Sequence, residues 1–311
     1  MDIYIPHKND ILSGSIEDYP GGIVFVIDKP YRWTSADVIR KVKYAACRHF
    51  GKKNLKVGHA GTLDPLATGV LLVCIGNATK LAEEFQRHDK EYLAGITFGA
   101  TTPSFDLEKD IDARFPYGHI TRENVENALT GFVGEQDQVA PLFSAKSIDG
   151  VRAYEMARKA FKAGLPIPDD IIRASRIRID SCKLEEFSEA VCQPGEAVPE
   201  DCATLGIIRG GTARGGAEQS EASDGTASPG DKSPAKTASS RINVASDDLS
   251  LPHASVRIAC SKGTYIRSFA RDLGEALGSG AFLNALCRTA TGSFTINDAL
   301  TVDEAVAILQ S

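Results

Sequence analysis

No run in the 311-residue sequence approaches the roughly 18 consecutive apolar residues that a membrane span needs, so no membrane association is expected. The N-terminus, MDIYIPHKND, lacks a basic region followed by an apolar stretch, which argues against a secretory leader. The seven cysteines are an odd number without any C-x-x-C spacing, which excludes a disulfide framework and a zinc cluster of the usual kind. A reducing, cytoplasmic setting is expected. The six histidines show no ligand-like pairing, so no structural metal is expected. Basic charge is also short, at a net −6, which by itself does not favour a polyanionic partner.

Much of that deficit has one source. Residues 196–250 are rich in Gly, Ala, Ser and Thr, contain no aromatic residue, and carry nine acids against five bases. Such a composition cannot bury enough apolar area to offset its ordering entropy. It reads as a disordered insertion, and the rest of the chain is only −2. The expected organisation is an N-terminal extension (1–21), a discontinuous domain (22–195 and 251–311) and the insertion between its halves.

Within that domain, GGIVFVIDKP (21–30) and VLLVCIG (70–76) read as buried strands. EYLAGITFG (91–99) alternates like a strand with one covered face. SVRIACSKG (255–263) reads as a strand ending in a turn. Thr34 with Asp37 three residues on is a capping-box signal, followed by Ile39, Val42 and Ala46 on one helical face. Helical patterns recur at 122–132, at 150–164, after Tyr265 (Ile266, Phe269, Ala270, Leu273, Leu277) and in VDEAVAILQ near the end. Strands and helices mix without a βαβ rhythm, so the expected class is α+β, with a mixed, mainly antiparallel sheet flanked by helices. From Arg40 to Lys56 there are seven bases and no acid, a solvated helix face or a phosphate-contacting patch.

The segment GHAGTLDPLATG (58–69) carries one acid, Asp64, between glycines and apolar residues. A carboxylate in such a turn caps a helix, joins a buried ion pair or does chemistry. Two-carboxylate hydrolysis needs a second acid, and this loop offers none. A lone aspartate can still act as a nucleophile, provided a cation keeps it ionised. Arg267, just after Tyr265, is one candidate cation, although spacing alone makes it a surface helix arginine. Tyr92 is a candidate stacking platform, or simply a core tyrosine.

Five segments, in order, resemble the TruB-type bacterial tRNA pseudouridine synthases: DKPYRWTS (28–35), GHAGTLDPLATGVL (58–71), KEYLAGITFGATTPSFD (90–106), APLFSAKSIDGVRAYEMAR (140–158) and CSKGTYIRSFARDLGEALGSGAFLNALCRTATGSF (260–294). The resemblance covers roughly 22–190 and 253–309. It implies the pseudouridine synthase fold and isomerisation of uridine 55 in the tRNA T-loop, without cofactor or metal. It also implies a monomer acting on the T-arm without an obligatory protein partner. In this resemblance Asp64 is the catalytic nucleophile and Arg267 its partner. Tyr92 stacks on the flipped uracil, Tyr265 and Leu286 line its pocket, His59 helps hold the opened loop, and Lys29 with Pro30 braces the site. A competing reading is a non-catalytic tRNA-folding chaperone that uses the same surface. Three departures stand out. Arg32 replaces the family's glycine. Ser147 stands where the family has a lysine, with Lys146 one place earlier. No room remains for the C-terminal PUA-type RNA-binding domain that many relatives carry.

Overall fold

A computed structural model describes residues 2–141, 174–190 and 244–311, together with short pieces at 147–148, 151–153, 155–156 and 159. The expected helix over 150–164 and Lys146 lie largely or wholly outside the described residues. So does most of the low-complexity segment.

Strands β1 (Ile23–Lys29), β2 (Val57–Ala60), β3 (Ala67–Ile75), β4 (Lys90–Phe98), β7 (Gly134–Gln138), β10 (Ser175–Ser188), β11 (His253–Cys260), β12 (Ala281–Thr291) and β13 (Phe294–Thr295) form one nine-stranded sheet. Two short ribbons stand apart, β5 (Ala100–Thr101) with β6 (Ala113–Arg114) and β8 (Ser147–Ile148) with β9 (Val151–Arg152). The main path runs β1-β3-β12-β4-β11-β10-β7. Every pair is antiparallel except β12 with β3, so the sheet is mixed and mainly antiparallel. The helices are α1 (Ser35–His49), α2 (Ala82–Arg87), α3 (Arg122–Thr130), α4 (Ile266–Ala276) and α5 (Val302–Ile308). None of the described helices is long and apolar enough to cross a membrane.

Local chemistry accounts for the start of α1. The Thr34 hydroxyl accepts from the Asp37 N–H at 3.1 Å while the Asp37 carboxylate accepts from the Thr34 N–H at 3.0 Å. Both otherwise orphaned donors are thereby satisfied, a cap that contributes about 1 kcal/mol. The buried stripe is Val38, Val42, Ala45 and Ala46, with Ile39 only partly packed, so the core face lies one residue round from the expected one. Strand β4 also departs from expectation. It alternates only up to Leu93 and is buried on both faces from Ala94 to Phe98, where it runs between β11 and β12 in the middle of the sheet.

Strand β3 sets up the site. Its edge opposite β1 is shared: β12 pairs with Ala67–Gly69, and β2 pairs with Leu72–Ile75. The loop joining β2 to β3, residues 61–66, therefore emerges at the point where the sheet splits. Gly69 makes the close approach of β3 to β12 feasible. Its φ is +98°, and a Cβ there would meet the Arg288 carbonyl oxygen at 2.2 Å. Gly69→Ala is expected to lower stability by about 3 kcal/mol in a denaturant titration, from strain plus a backbone collision. A loss under about 1 kcal/mol would show that the β3–β12 join does not need glycine.

The chain outside the resembling segments is also packed. Tyr4 bridges Ile23, Leu12 is buried in the main core, and Ile3 and Ile5 pack against a second cluster. At the far end of the low-complexity segment, Val244 and Ala245 pack with Leu66, Leu107 and Phe282.

Candidate active site

The acid of the 58–69 turn and the arginine of α4 meet. Arg267 Nε lies 2.9 Å from Asp64 Oδ2, the arginine being 5 % exposed and the aspartate 39 %. The carboxylate thus sits at a protein–solvent boundary, held from inside by a buried guanidinium. Arg267 Nη1 also donates to the Ser104 carbonyl at 3.3 Å and lies 3.7 Å from Asp106 Oδ2. Burial works against the charge on Arg267, but Asp64 and then Asp106 more than offset it and raise its pKa. Burial raises the pKa of Asp106 despite the opposing pull of Arg267. Asp64, nearer and half-exposed, is the stronger partner.

These groups line one open cleft, with walls of Leu66, Ala67, Asn284 and Leu286. Leu286 is placed by the sheet, opposite Ala67 of β3 on one side and Ala94 of β4 on the other. Of the site residues read from sequence, Asp64, Arg267 and Leu286 thus share the cleft. Tyr92 is buried in the core on the face of β4 that carries Ala94. Burial raises its pKa, and Arg288 opposes that shift through charge and a hydrogen bond. Tyr265 is half-buried against Ala140 and Ala153, and its backbone exchanges two hydrogen bonds with the Gln138 side chain (2.8 and 3.1 Å). His59, on β2, is half-buried, and burial lowers its pKa, with Arg288 adding to the effect.

Lys29 is wholly buried. Its ammonium donates to the carbonyls of Trp33 (2.6 Å), Pro30 (3.0 Å) and Pro65 (3.3 Å), stapling two loops together beside Asp64. Burial pulls its pKa down to about 7, against the attraction of Asp64 and Asp28. A lysine whose folded pKa lies below its unfolded value binds fewer protons in the native state. Stability from this group therefore rises with pH between about 7 and the unfolded value. The stability difference between wild type and Lys29→Met is expected to move in favour of wild type from pH 7 to pH 9, read from paired denaturant titrations. A flat difference would show that the ammonium stays charged in the fold across that range.

Sequence reasoning missed three participants. Asp106 supplies the second carboxylate that the 58–69 loop lacks. Arg288, 2 % exposed, plugs the split in the sheet: its Nε donates to the Val70 carbonyl (2.7 Å) and its Nη2 to the Gly61 carbonyl (3.1 Å). The third is Asn284, at a bulge in β12, whose Nδ2 donates to the Thr97 hydroxyl at 2.9 Å. Thr97 donates in turn to Asp247, which also faces His253 at 3.1 Å, tying the end of the low-complexity segment to the cleft wall. All three lie within segments that carry the family resemblance, but their local spacing marks none of them, because each acts through contacts distant in sequence.

The Arg40–Lys56 run is partly neutralised. Arg40 pairs with Asp37, Lys41 with Asp303 and Lys52 with Glu17, while Arg48 lies over the Tyr44 ring. No group of three or more potential metal ligands occurs among the described residues.

The mixed, mainly antiparallel sheet with flanking helices has the architecture of the pseudouridine synthase fold. Solved structures share the architecture. A chain of a Cbf5–Nop10–Gar1 complex aligns with a TM-score of 0.54 at 21% identity, over 94% of this chain and 56% of that one. A chain of an H/ACA RNP bound to a substrate RNA containing 2′-deoxyuridine aligns with a TM-score of 0.51 at 18% identity, over 97% of this chain and 61% of that one. Sequence relatives are nearer. Residues 48–196 match the N-terminal domain of the TruB family pseudouridylate synthases. The tRNA pseudouridine synthase B of Phocaeicola vulgatus is 41% identical over 92% of both chains. That of Bacteroides thetaiotaomicron is 42% identical over 91% of both. The chain belongs to the TruB family of pseudouridylate synthases.

Proposed function

We propose that this protein isomerises uridine 55 in the T-loop of tRNA to pseudouridine, with Asp64 as the nucleophile. The observation that carries the reading is the 2.9 Å Arg267–Asp64 pair at the floor of an open cleft. The guanidinium holds the carboxylate in place from the protein side, and the exposure of Asp64 leaves an oxygen accessible to a ribose.

To reach the cleft, the target base must leave its stack, at a cost of a few kcal/mol that the pocket offsets. Leu286 offers an apolar wall for the uracil, and the stacking role falls to Tyr92, which is buried in the core and must become exposed when the base enters. Tyr265, at the start of α4, packs beside the site against Ala140 and Ala153, and His59 holds the opened loop. Two routes fit the cleft. The carboxylate of Asp64 bonds to C1′ and displaces the uracil, or it assists elimination to a glycal. Either way the N1–C1′ bond breaks, the uracil turns while held, C5 bonds to C1′ as the Asp64–C1′ ester breaks or the glycal regains its 2′ proton, and N1 ends protonated. A base then takes the proton from C5, and the product is an isomer of the substrate, so no co-reactant is consumed. Cytoplasmic action as a monomer, without a protein partner, completes the reading.

The test is unmodified tRNA treated with the purified protein alone, with pseudouridine mapped by mass. Conversion at position 55 is expected. Stoichiometric T-arm binding without any conversion would instead favour the chaperone reading.

A further inference from the structure

The end of the low-complexity segment is built into the domain. Residues 244–248 have no regular secondary structure, yet they reach three of the stretches that wall the cleft. The Ala245 N–H donates at 2.8 Å to the carbonyl of Leu107, the residue after Asp106. Val244 and Ala245 pack on the cluster of Ala100, Leu107, Leu251 and Phe282, and so does Leu66, two residues after Asp64. Asp247 serves the third stretch. One of its oxygens accepts from the Thr97 hydroxyl at 2.9 Å, and the other lies 3.1 Å from Nε2 of the buried His253. Thr97 is wholly buried on β4. Its single hydroxyl proton goes to Asp247, which leaves its oxygen to accept from Asn284 Nδ2 at 2.9 Å. Asn284 is the bulged residue of β12, between Leu283 and Ala285 and two short of Leu286. On the far side, Asp248 pairs with Arg114 of β6 at 2.8 Å and accepts from the Ser250 N–H and hydroxyl.

Asp247 and Thr97 do not line the cleft themselves, so any effect they have on the chemistry passes through Asn284. A bulge re-aims the side chains around it. Here it carries Leu283, Asn284 and Leu286 to the cleft wall. Removing Asp247 leaves a buried hydroxyl without its acceptor, and Thr97 then turns to other partners at the expense of its bond to Asn284. The apolar half of the same segment backs the turn after Asp106 and the loop after Asp64. We propose that residues 244–248 are a strap that holds the cleft in its working geometry, with Asp247 as its positioning residue. The inference rests on the proposed reaction and adds to it a part of the low-complexity segment that the reaction needs. Displacement of a reacting group by about 1 Å can cost about 10²-fold in rate, so a loosened wall is read in the chemical step.

Asp247→Ala and Thr97→Val cut the chain at two links, and Asp247→Asn keeps an acceptor for Thr97. Ile308→Ala, in the core beside α5, controls for general loss of stability. All are compared at a temperature where every variant is folded. Single-turnover conversion of an unmodified T-arm RNA gives the rate, and a binding isotherm gives the affinity. Asp247→Ala and Thr97→Val are each expected to slow conversion about 10-fold with binding within about 2-fold of wild type. The double variant should be no slower than the slower single, because both break one chain. Asp247→Asn should stay within about 3-fold of wild type. Hydrogen exchange of the 61–67 loop in the free protein should be faster in Asp247→Ala and unchanged in Ile308→Ala. Wild-type rates and wild-type exchange in the two chain variants would overturn the strap and leave the proposed reaction standing, as would losses that Ile308→Ala reproduces. A wild type that forms no pseudouridine would overturn the reaction, and unchanged exchange in Asp247→Ala would then overturn the strap as well.

Discussion

Asp64→Asn is expected to abolish pseudouridine formation, by at least about 10³-fold in kcat, while T-arm binding stays within a few-fold of wild type. The amide is nearly isosteric with the carboxylate and keeps its place beside Arg267. It removes the nucleophilic oxygen and little else. The half-exposed position of Asp64 limits any folding penalty, since the group is not sealed in the core. Single-turnover conversion and a binding isotherm on the same RNA make the check. Retained conversion in this variant would show that Asp64 is not the nucleophile.

Arg267→Met is expected to do damage of two kinds. Conversion should fall by about 10²-fold or more, because Asp64 loses the buried cation that positions its carboxylate. Stability should fall by about 3–5 kcal/mol, the usual result of removing one member of a buried charged group. The stranded partner is Asp106, which is buried and whose pKa burial already raises. Without Arg267 that pKa rises further, so the native state holds the proton more tightly than the unfolded chain. The stability loss should therefore grow as pH rises above the carboxylate range and shrink below it. Arg267→Lys restores charge but not the fork that reaches both acids, and an intermediate result is expected. A full-strength Met variant, equally stable at pH 5 and pH 8, would remove Arg267 from the account.

The sequence foretold the local elements well where a short-range signal existed. Thr34 and Asp37 marked the start of α1, and the apolar run 70–76 marked most of β3. Strand β12 escaped notice because it is irregular: bulges between Leu283 and Ala285 and between Arg288 and Ala290 break the period-two pattern. Strand β10 is interrupted in the same way after Ile179 and after Leu184. The sequence pattern made Arg267 a surface residue, next to the Ile266–Phe269–Ala270–Leu273 stripe. It is buried because Asp64 and Asp106 arrive from other elements to meet it. Asp64 and Arg267 could be paired in advance only through family resemblance, and Asp106, Arg288 and the Asn284–Thr97–Asp247 chain became visible only in three dimensions. Periodicity reports which face of an element is covered. It does not report which distant polar group arrives to cover it.

The most direct measurement is a structure of the protein bound to a T-arm RNA with 5-fluorouridine at the target position. The account predicts the fluorinated nucleotide turned out of its stack, its C1′ bonded to or in contact with Asp64 and its base against Leu286. A target nucleotide still stacked in its loop, or one extruded to a place away from Asp64, would contradict it.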